Sequence, residues 1–318
     1  MTPTTNLLSK SPAQLTGKPM TAPAATAAST AFVQKTKPVR AQRVPKTLED
    51  SSADYFKIMA FGHVSTGKTH IITSLLLAGQ DVLVASTDTG GHGLSTVKQA
   101  LKDLGREDLF SRCHYFELDT YDDVEDFVYS PQDFWPGIYD TDIDTIFFDG
   151  FSNFQQSQLD DKVMGFTPQT NAGDAREAGL WAGQQDWGAI KKGTLKIHNK
   201  FLQMKNEKTG KTYHKILTCL ESKPKEDKTT GENKIAPMLQ GAAAGLIEPA
   251  YDLIFRTRRK KVTENGKAVM EYYYEMEGTD SKVMTKSRGL KVEPKMPGDF
   301  GALWASICNQ RGINPGKR

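Results

Sequence analysis

The chain of 318 residues carries 41 Lys+Arg against 38 Asp+Glu, a formal net charge of +3; so small a sum excludes a uniformly basic DNA-coating protein. Its longest apolar run, Ile71-Ile72 then Leu75-Leu76-Leu77-Ala78, is far below the roughly 20 residues that span a bilayer, so no membrane role is expected. Three scattered cysteines, Cys113, Cys219 and Cys308, give neither a disulfide framework nor a metal-ligand spacing, and they fit a reducing cytoplasm.

The charge is unevenly placed. Residues 1–46 hold seven basic residues and no acid, which leaves 34 basic and 38 acidic residues, a net of −4, for the rest. The first 50 residues carry six prolines and eight alanines without helical or strand periodicity. They read as a disordered basic tail, able to touch phosphate backbones or merely to solubilise. A transit peptide is disfavoured because the arginines come late and prolines interrupt any amphipathic helix. A folded body over 51–310 and a flexible end over 311–318 complete the expected organisation.

The folded body begins with the apolar strand Phe56–Phe61, ending at Gly62, followed by a helix over Lys68–Ala78 that closes at Gly79. Val82–Ser86 is the second strand. Leu94, Val97, Leu101 and Leu104 recur at 3,4,3 spacing and predict a helix that stops at Gly105. His114–Leu118 reads as a strand, Tyr121–Val128 as a short acidic helix, and Thr145–Phe148 as a buried strand ending in Asp149. Trp187, Ile190, Thr194, Ile197, Phe201 and Met204 mark one face of a long helix. Lys215–Leu220 and Asp252–Arg256 read as strands, Val269–Met276 with Lys282–Thr285 as a late antiparallel pair, and Phe300–Cys308 as a terminal helix. Strands alternating with helices, several too apolar for a wet face, predict an α/β fold with a mostly parallel sheet covered on both sides.

Gly62-His63-Val64-Ser65-Thr66-Gly67-Lys68-Thr69 matches G-x4-G-K-[ST], between a strand and a helix as that motif requires. The glycines let the backbone curl so that successive N–H groups face a phosphate, and the helix N-terminus adds favourable partial charge. Lys68 is expected to reach the β- and γ-phosphates of ATP, and the Thr69 hydroxyl to ligate Mg2+. Asp149, where a buried strand leaves the core, is the expected second metal-side group. Water activation falls to Asp88, after the second strand, or to Glu221, after the later one; Asp88 also suits an Asx turn and Glu221 a solvated strand end. Thr218 and Ser222 are candidates for sensing the γ-phosphate.

These residues resemble the compact RecA-like ATPases of phages, an AAA-labelled P-loop group that includes single-strand-annealing recombinases. The resemblance covers about 55–292: the phosphate loop, "DTGG" at 88–91, "TIFFDG" at 145–150, "DWG" at 186–188, "ILTCLESKPKED" at 216–227, "KIAPMLQG" at 234–241, "AYDLIFRTRR" at 250–259 and "VMTKSRG" at 283–289. It implies a RecA-like core that binds Mg2+ and ATP, acts on single-stranded DNA in recombination, annealing or repair, and assembles into a ring or filament, with a single-strand-binding protein as a further partner. It also implies a cytoplasmic setting, that of the host if the chain is viral.

Two departures bear on mechanism. The family commonly has Glu where this chain has Thr89, and a polar His where it has Leu220 before Glu221. The first puts efficient hydrolysis in question, and the second weakens any sensor between DNA and ATP. A nucleotide-dependent scaffold or loader and a helicase- or packaging-type motor therefore stay open as alternatives.

For DNA, loops over 155–186 and 222–236 are the candidates. Lys223, Lys225, Lys228 and Lys234 offer charge, and Phe166, Trp181 and Trp187 offer stacking, although Trp187 also suits the packed helix stripe. The densest basic run, Arg256-Thr257-Arg258-Arg259-Lys260-Lys261, suits DNA contact, a finger into a neighbouring subunit's site, or a solvated strand edge. Lys286 and Arg288 are the preferred trans-acting pair.

Overall fold

The computed structural model describes residues 54–88, 92–159, 184–226, 233–239, 243–264, 267–276 and 283–316. The tail, Thr89, Phe166, Trp181 and Lys228 lie outside them.

The described elements run in the following order. They are β1 (Lys57–Gly62), α1 (His70–Leu77), β2 (Val82–Ser86), α2 (His92–Asp103), β3 (Cys113–Glu117), α3 (Tyr121–Tyr129), α4 (Pro131–Phe134) and β4 (Thr145–Asp149). After them come α5 (Phe151–Asn153, continued by a π-turn over Phe154–Gln158), α6 (Gln184–Gln203), β5 (His214–Leu220), β6 (Lys225–Glu226) and β7 (Asn233–Lys234). The chain closes with α7 (Ala243–Ile247), β8 (Leu253–Glu264), β9 (Lys267–Glu275), β10 (Lys286–Ser287), β11 (Lys295–Pro297) and α8 (Phe300–Arg311).

The main sheet runs β11-β9-β8-β1-β5-β4-β2-β3, with β10 paired beside β8. The six strands from β8 through β3 are parallel, and β9, β10 and β11 are antiparallel additions. The fold is the expected α/β core. β1 shows why its central strands are apolar throughout. Met59 and Phe61 face a core that includes Ile190, Ile197 and Phe201 of α6, while Ile58 and Ala60 face one that includes Ile71 and Leu75 of α1 and Trp304 of α8.

Several boundaries differ from the sequence reading. The late antiparallel pair is β8 with β9, joined over nine register pairs from Arg256↔Glu275 to Glu264↔Lys267. Within 282–285, Val283 makes only an isolated bridge to Ile235. Strand Asp252–Arg256 thus continues to Glu264, well past the end of β1, because its later residues have β9 rather than the core as partner. Trp187 is exposed, so the buried stripe of α6 starts at Ile190. Residues near the C-terminus, read as a flexible end, are tied down: the Pro315 carbonyl accepts from Gln80 Nε2 at 2.8 Å and from Trp304 Nε1 at 2.7 Å. No described helix is long and apolar enough to cross a membrane.

Candidate functional site

The carboxyl ends of the parallel strands converge on the loop between β1 and α1. Gly62 is the last residue of β1, and only a glycine fits: a β-carbon there would lie 2.3 Å from Thr257 Oγ1 and 2.5 Å from the Thr257 carbonyl oxygen on β8. The same close approach pins the loop, since Thr66 Oγ1 lies 2.6 Å from Thr257 Oγ1 and donates to the His63 carbonyl at 2.7 Å. Ser65 takes a left-handed φ of 61° at the crest of the turn. Val64 is largely exposed beside it.

Lys68 Nζ folds across the loop to the carbonyl oxygens of Gly62 and His63, at 3.0 and 2.7 Å. Burial lowers its pKa, partly offset by the nearby charges of Asp149, Asp88 and Glu221. A part-buried ammonium held by two carbonyls keeps its positive charge available to an anion entering the loop.

Helix α1 begins at His70, two residues later than the sequence suggests, with Thr69 as its N-cap. The Thr69 side chain makes no cap bond; instead its hydroxyl donates to Asp149 Oδ2 at 2.9 Å. The other oxygen, Asp149 Oδ1, accepts from Thr218 Oγ1 at 2.6 Å. Strands β4 and β1 are not neighbours: β5 lies between them, so Asp149 reaches the loop through Thr69 while Thr218 of the intervening β5 holds its other oxygen. Burial raises the Asp149 pKa, and the Thr218 and Thr69 hydroxyls oppose that rise. The donor set is hard oxygen throughout, a hydroxyl and a buried carboxylate on either side of the loop's mouth, and it suits Mg2+ with phosphate oxygens and water completing its shell. Gly93, at the start of α2, closes against it: a β-carbon there would lie 3.1 Å from Thr69 Cγ2.

Asp88 lies one residue beyond Thr87, whose N–H donates to the Asp149 carbonyl at 3.0 Å. Its Oδ1 accepts a hydrogen bond from Asn153 Nδ2. Glu221 is held differently. Arg256 grips it bidentately, Nε to Oε2 at 2.8 Å and Nη2 to Oε1 at 2.5 Å, and reaches Glu275 Oε2 at 3.0 Å. His63 Nε2 also approaches Glu221 Oε1, at 3.3 Å. The Glu221 side chain is only 3% exposed, so it is no solvated strand end. Ser222 is also withdrawn, its N–H donating to the Ala236 carbonyl at 2.9 Å.

The basic run splits in the same way. Arg256 is buried and fully engaged, which removes it from the DNA-contact set. Thr257 faces the loop, and strand alternation places Arg259 and Lys261 on that same side and Arg258 and Lys260 on the other. Tyr272, the register partner of Arg259, brings its ring to 3.5 Å from where a Gly67 β-carbon would lie. Arg259 and Lys261 are exposed, and Lys260 pairs with Glu271 at 2.7 Å.

Lys223 is exposed and Lys225 lies on β6. Lys286 and Arg288 stand by the amino end of β8, where they donate to the carbonyls of Glu248 and Pro249 at 2.9 and 2.5 Å. Asn153 and the Arg256 clamp on Glu221 escaped the sequence reading. The spacing of Asn153, three residues past a left-handed Gly150, was the only available signal.

A family model described as an AAA domain matches residues 54–289. A crystal structure of the RadB recombinase is similar over 70% of this chain and 87% of that chain, at 13% identity and a TM-score of 0.37. No curated protein matches the chain.

Proposed function

The chain belongs to the AAA domain family, and from that premise we propose that it binds Mg2+ and ATP at the loop 62–69 and hydrolyses ATP in work on single-stranded DNA. The observation that carries this reading is the bridge from Thr69 through Asp149 to Thr218 beside a loop across which Lys68 folds. Thr69 and Asp149 are the residues to hold Mg2+, directly or through water, and the ion supplies charge neutralisation at the β- and γ-phosphates. Lys68 exchanges its two carbonyl partners for phosphate oxygens, so the loop is preorganised and little rearrangement is needed.

The exposed side of the β8–β9 ladder, with Arg259 and Lys261, together with Lys223, Lys225, Lys228 and Arg258, is the surface for the DNA backbone. Lys286 and Arg288 on one subunit face the next in a ring or filament. A role in phage recombination, annealing or repair, alongside a single-strand-binding protein in the host cytoplasm, fits this chemistry.

The clamp of Arg256 on Glu221 and Thr89 in place of a glutamate favour one second reading, a nucleotide-dependent scaffold or loader with little turnover. ATP turnover by the full chain with and without single-stranded DNA decides. Stimulation by the single strand supports the proposal; stimulation by duplex alone indicates a motor, and tight binding without turnover the scaffold. Lys68→Ala is the control, expected to weaken nucleotide binding by about 100-fold, the worth of one or two charge-assisted hydrogen bonds.

A further inference from the structure

The carboxylates of Asp149, Glu221 and Asp88 stand near Lys68 at the carboxyl edge of the sheet, and their partners separate them. Asp149 has a hydroxyl on each oxygen and faces α1 with Thr218. Glu221 leaves β5 on the opposite side, in line with Cys219 and the α6 core, and both of its oxygens are taken by one guanidinium. The guanidinium on both oxygens, with His63 Nε2 at 3.3 Å from Oε1, occupies the positions from which Glu221 would accept a hydrogen bond from water. Asp88 differs from both. Among the described residues its side-chain partner is a neutral amide, on Oδ1, and it makes no ion pair, while its charge acts on both Lys68 and Asp149.

We propose that Asp88 is the carboxylate that activates the attacking water and that Asn153 is its positioning residue, a role that deepens the hydrolytic reading above and rests on it.

Local structure supports the pair. Gly150 takes φ +86°, and a β-carbon there would lie 2.6 Å from Asp88 Oδ1, so only glycine leaves room for the carboxylate. From Gly150 the chain turns directly into α5, which places Asn153 one turn on, its N–H donating to the Gly150 carbonyl at 2.8 Å. Thr87 Oγ1 donates to that same carbonyl at 2.7 Å, so the ends of β2 and β4 are stapled together under the Asp88–Asn153 contact. Phe151 and Phe154 are fully buried on either side, and Gln155 Nε2 donates to Thr194 Oγ1 of α6 at 2.7 Å across the buried π-turn. A neutral donor on a rigid mount orients Asp88 without neutralising it.

In the step itself, the water oxygen bonds to the γ-phosphorus as the bond to the β,γ-bridging oxygen breaks. That electron pair leaves with ADP, and the water proton passes to Asp88 and then to solvent.

Steady-state kinetics and nucleotide binding on the full chain test the assignment. Asp88→Ala is expected to lower kcat by about 100-fold or more, the usual worth of a positioned base. Asn153→Ala is expected to lower it by about tenfold or more, with KM and the affinity for a fluorescent ATP analogue within about twofold of the parent. Asn153→Leu, similar in size and uncharged, removes the donor without setting a second carboxylate against Asp88 and gives the same kcat loss.

The double variant Asp88→Ala, Asn153→Ala should be no slower than Asp88→Ala alone. Thermal unfolding without nucleotide supplies a second readout, with Asn153→Ala costing less stability when Asp88 is already absent. Additive kinetic losses, equal stability costs in both backgrounds, or a kcat loss in Glu221→Gln that Asp88→Ala does not show would overturn the proposal while leaving ATP hydrolysis intact. Absence of turnover in the unmodified chain removes the hydrolytic reading itself, and the proposal with it.

Discussion

The root and the tip of the β8–β9 ladder carry the same chemistry and put it to opposite uses. Arg256↔Glu275 and Lys260↔Glu271 are cross-strand pairs four residues apart on one face of the same two strands. At the root the Arg256 side chain is 6% exposed; at the tip Lys260 and Glu271 are 45% and 46% exposed. Burial at the root pulls the guanidinium pKa down, but the hydrogen bonds and charge of Glu221 and Glu275 outweigh it and hold the group above its usual value. Water screens the tip pair, which is free to exchange partners. One basic run in the sequence is therefore buried structure at its first two residues, Arg256 and Thr257, and an open surface toward its end.

The largest expected effect lies at the root. Arg256→Ala strands Glu221 in a buried site and should cost about 3–5 kcal/mol, the usual toll of breaking a buried pair from one side. Denaturant unfolding measures it. Replacing both partners, Arg256→Met with Glu221→Leu, should recover most of the loss, since burying two apolar groups removes the uncompensated charge. A single variant as stable as the parent would mean that the clamp is incidental.

A second buried cation sharpens the point by lacking carboxylates. Lys215 is fully buried at the amino end of β5, with Nζ donating to the carbonyls of Met204 and Tyr213 at 2.8 and 2.9 Å. Burial, helped by the charge of Lys57, brings its pKa from 10.5 down to about 7. Below pH 7 the lysine is protonated both folded and unfolded, and the folded state bears the full cost of a buried charge. Between pH 7 and 10.5 only the unfolded chain keeps the proton, so stability rises with pH, by at most about 1.4 kcal/mol per unit. Lys215→Met should lack that rise. Parallel stability profiles for the two proteins over this range would show that Lys215 does not titrate there.

These contrasts mark where the sequence was legible. The order of strands and helices, the phosphate loop and Asp149 are local signals: an apolar run, a glycine spacing, an acid at a strand end. They survive because β1, β2, β4 and β5 bury both faces and tolerate little else. The split within Arg256–Lys261 was not legible, because it depends on which residues of β8 lie over β1 and which overhang it, a register set by Gly62↔Thr257. The partners of Glu221 and Asp88 were hidden for the same reason. Arg256 is 35 residues from Glu221, and Asn153 is 65 from Asp88, so only strand order brings either pair together. The late pairing of 269–276 with 282–285 failed because β8 was read as ending at Arg256, which left β9 without its true neighbour.

Intermediate effects belong to the loop-facing side of the tip. Arg259→Ala and Lys261→Ala should each lower the salt dependence of single-strand binding by about 0.7 in log–log slope, one phosphate contact apiece, with ATP-analogue affinity unchanged. Unaltered slopes would remove this side of the ladder from the DNA surface and leave Lys223 and its neighbours to carry it.

The smallest effect is the most discriminating. Glu271→Gln breaks the Lys260 pair at the tip, where the contact holds the lysine pKa up and the glutamate pKa down. Both groups stay hydrated when parted, so the unfolding midpoint should move by no more than about 1 °C. The same change frees Lys260 and removes one negative charge from the ladder. If the tip meets phosphates, single-strand binding should tighten slightly and its salt slope steepen, the reverse of the Arg259 result. A stability loss comparable to that of Arg256→Ala would instead mean that the tip is buried in the working assembly, against a neighbouring subunit rather than against DNA.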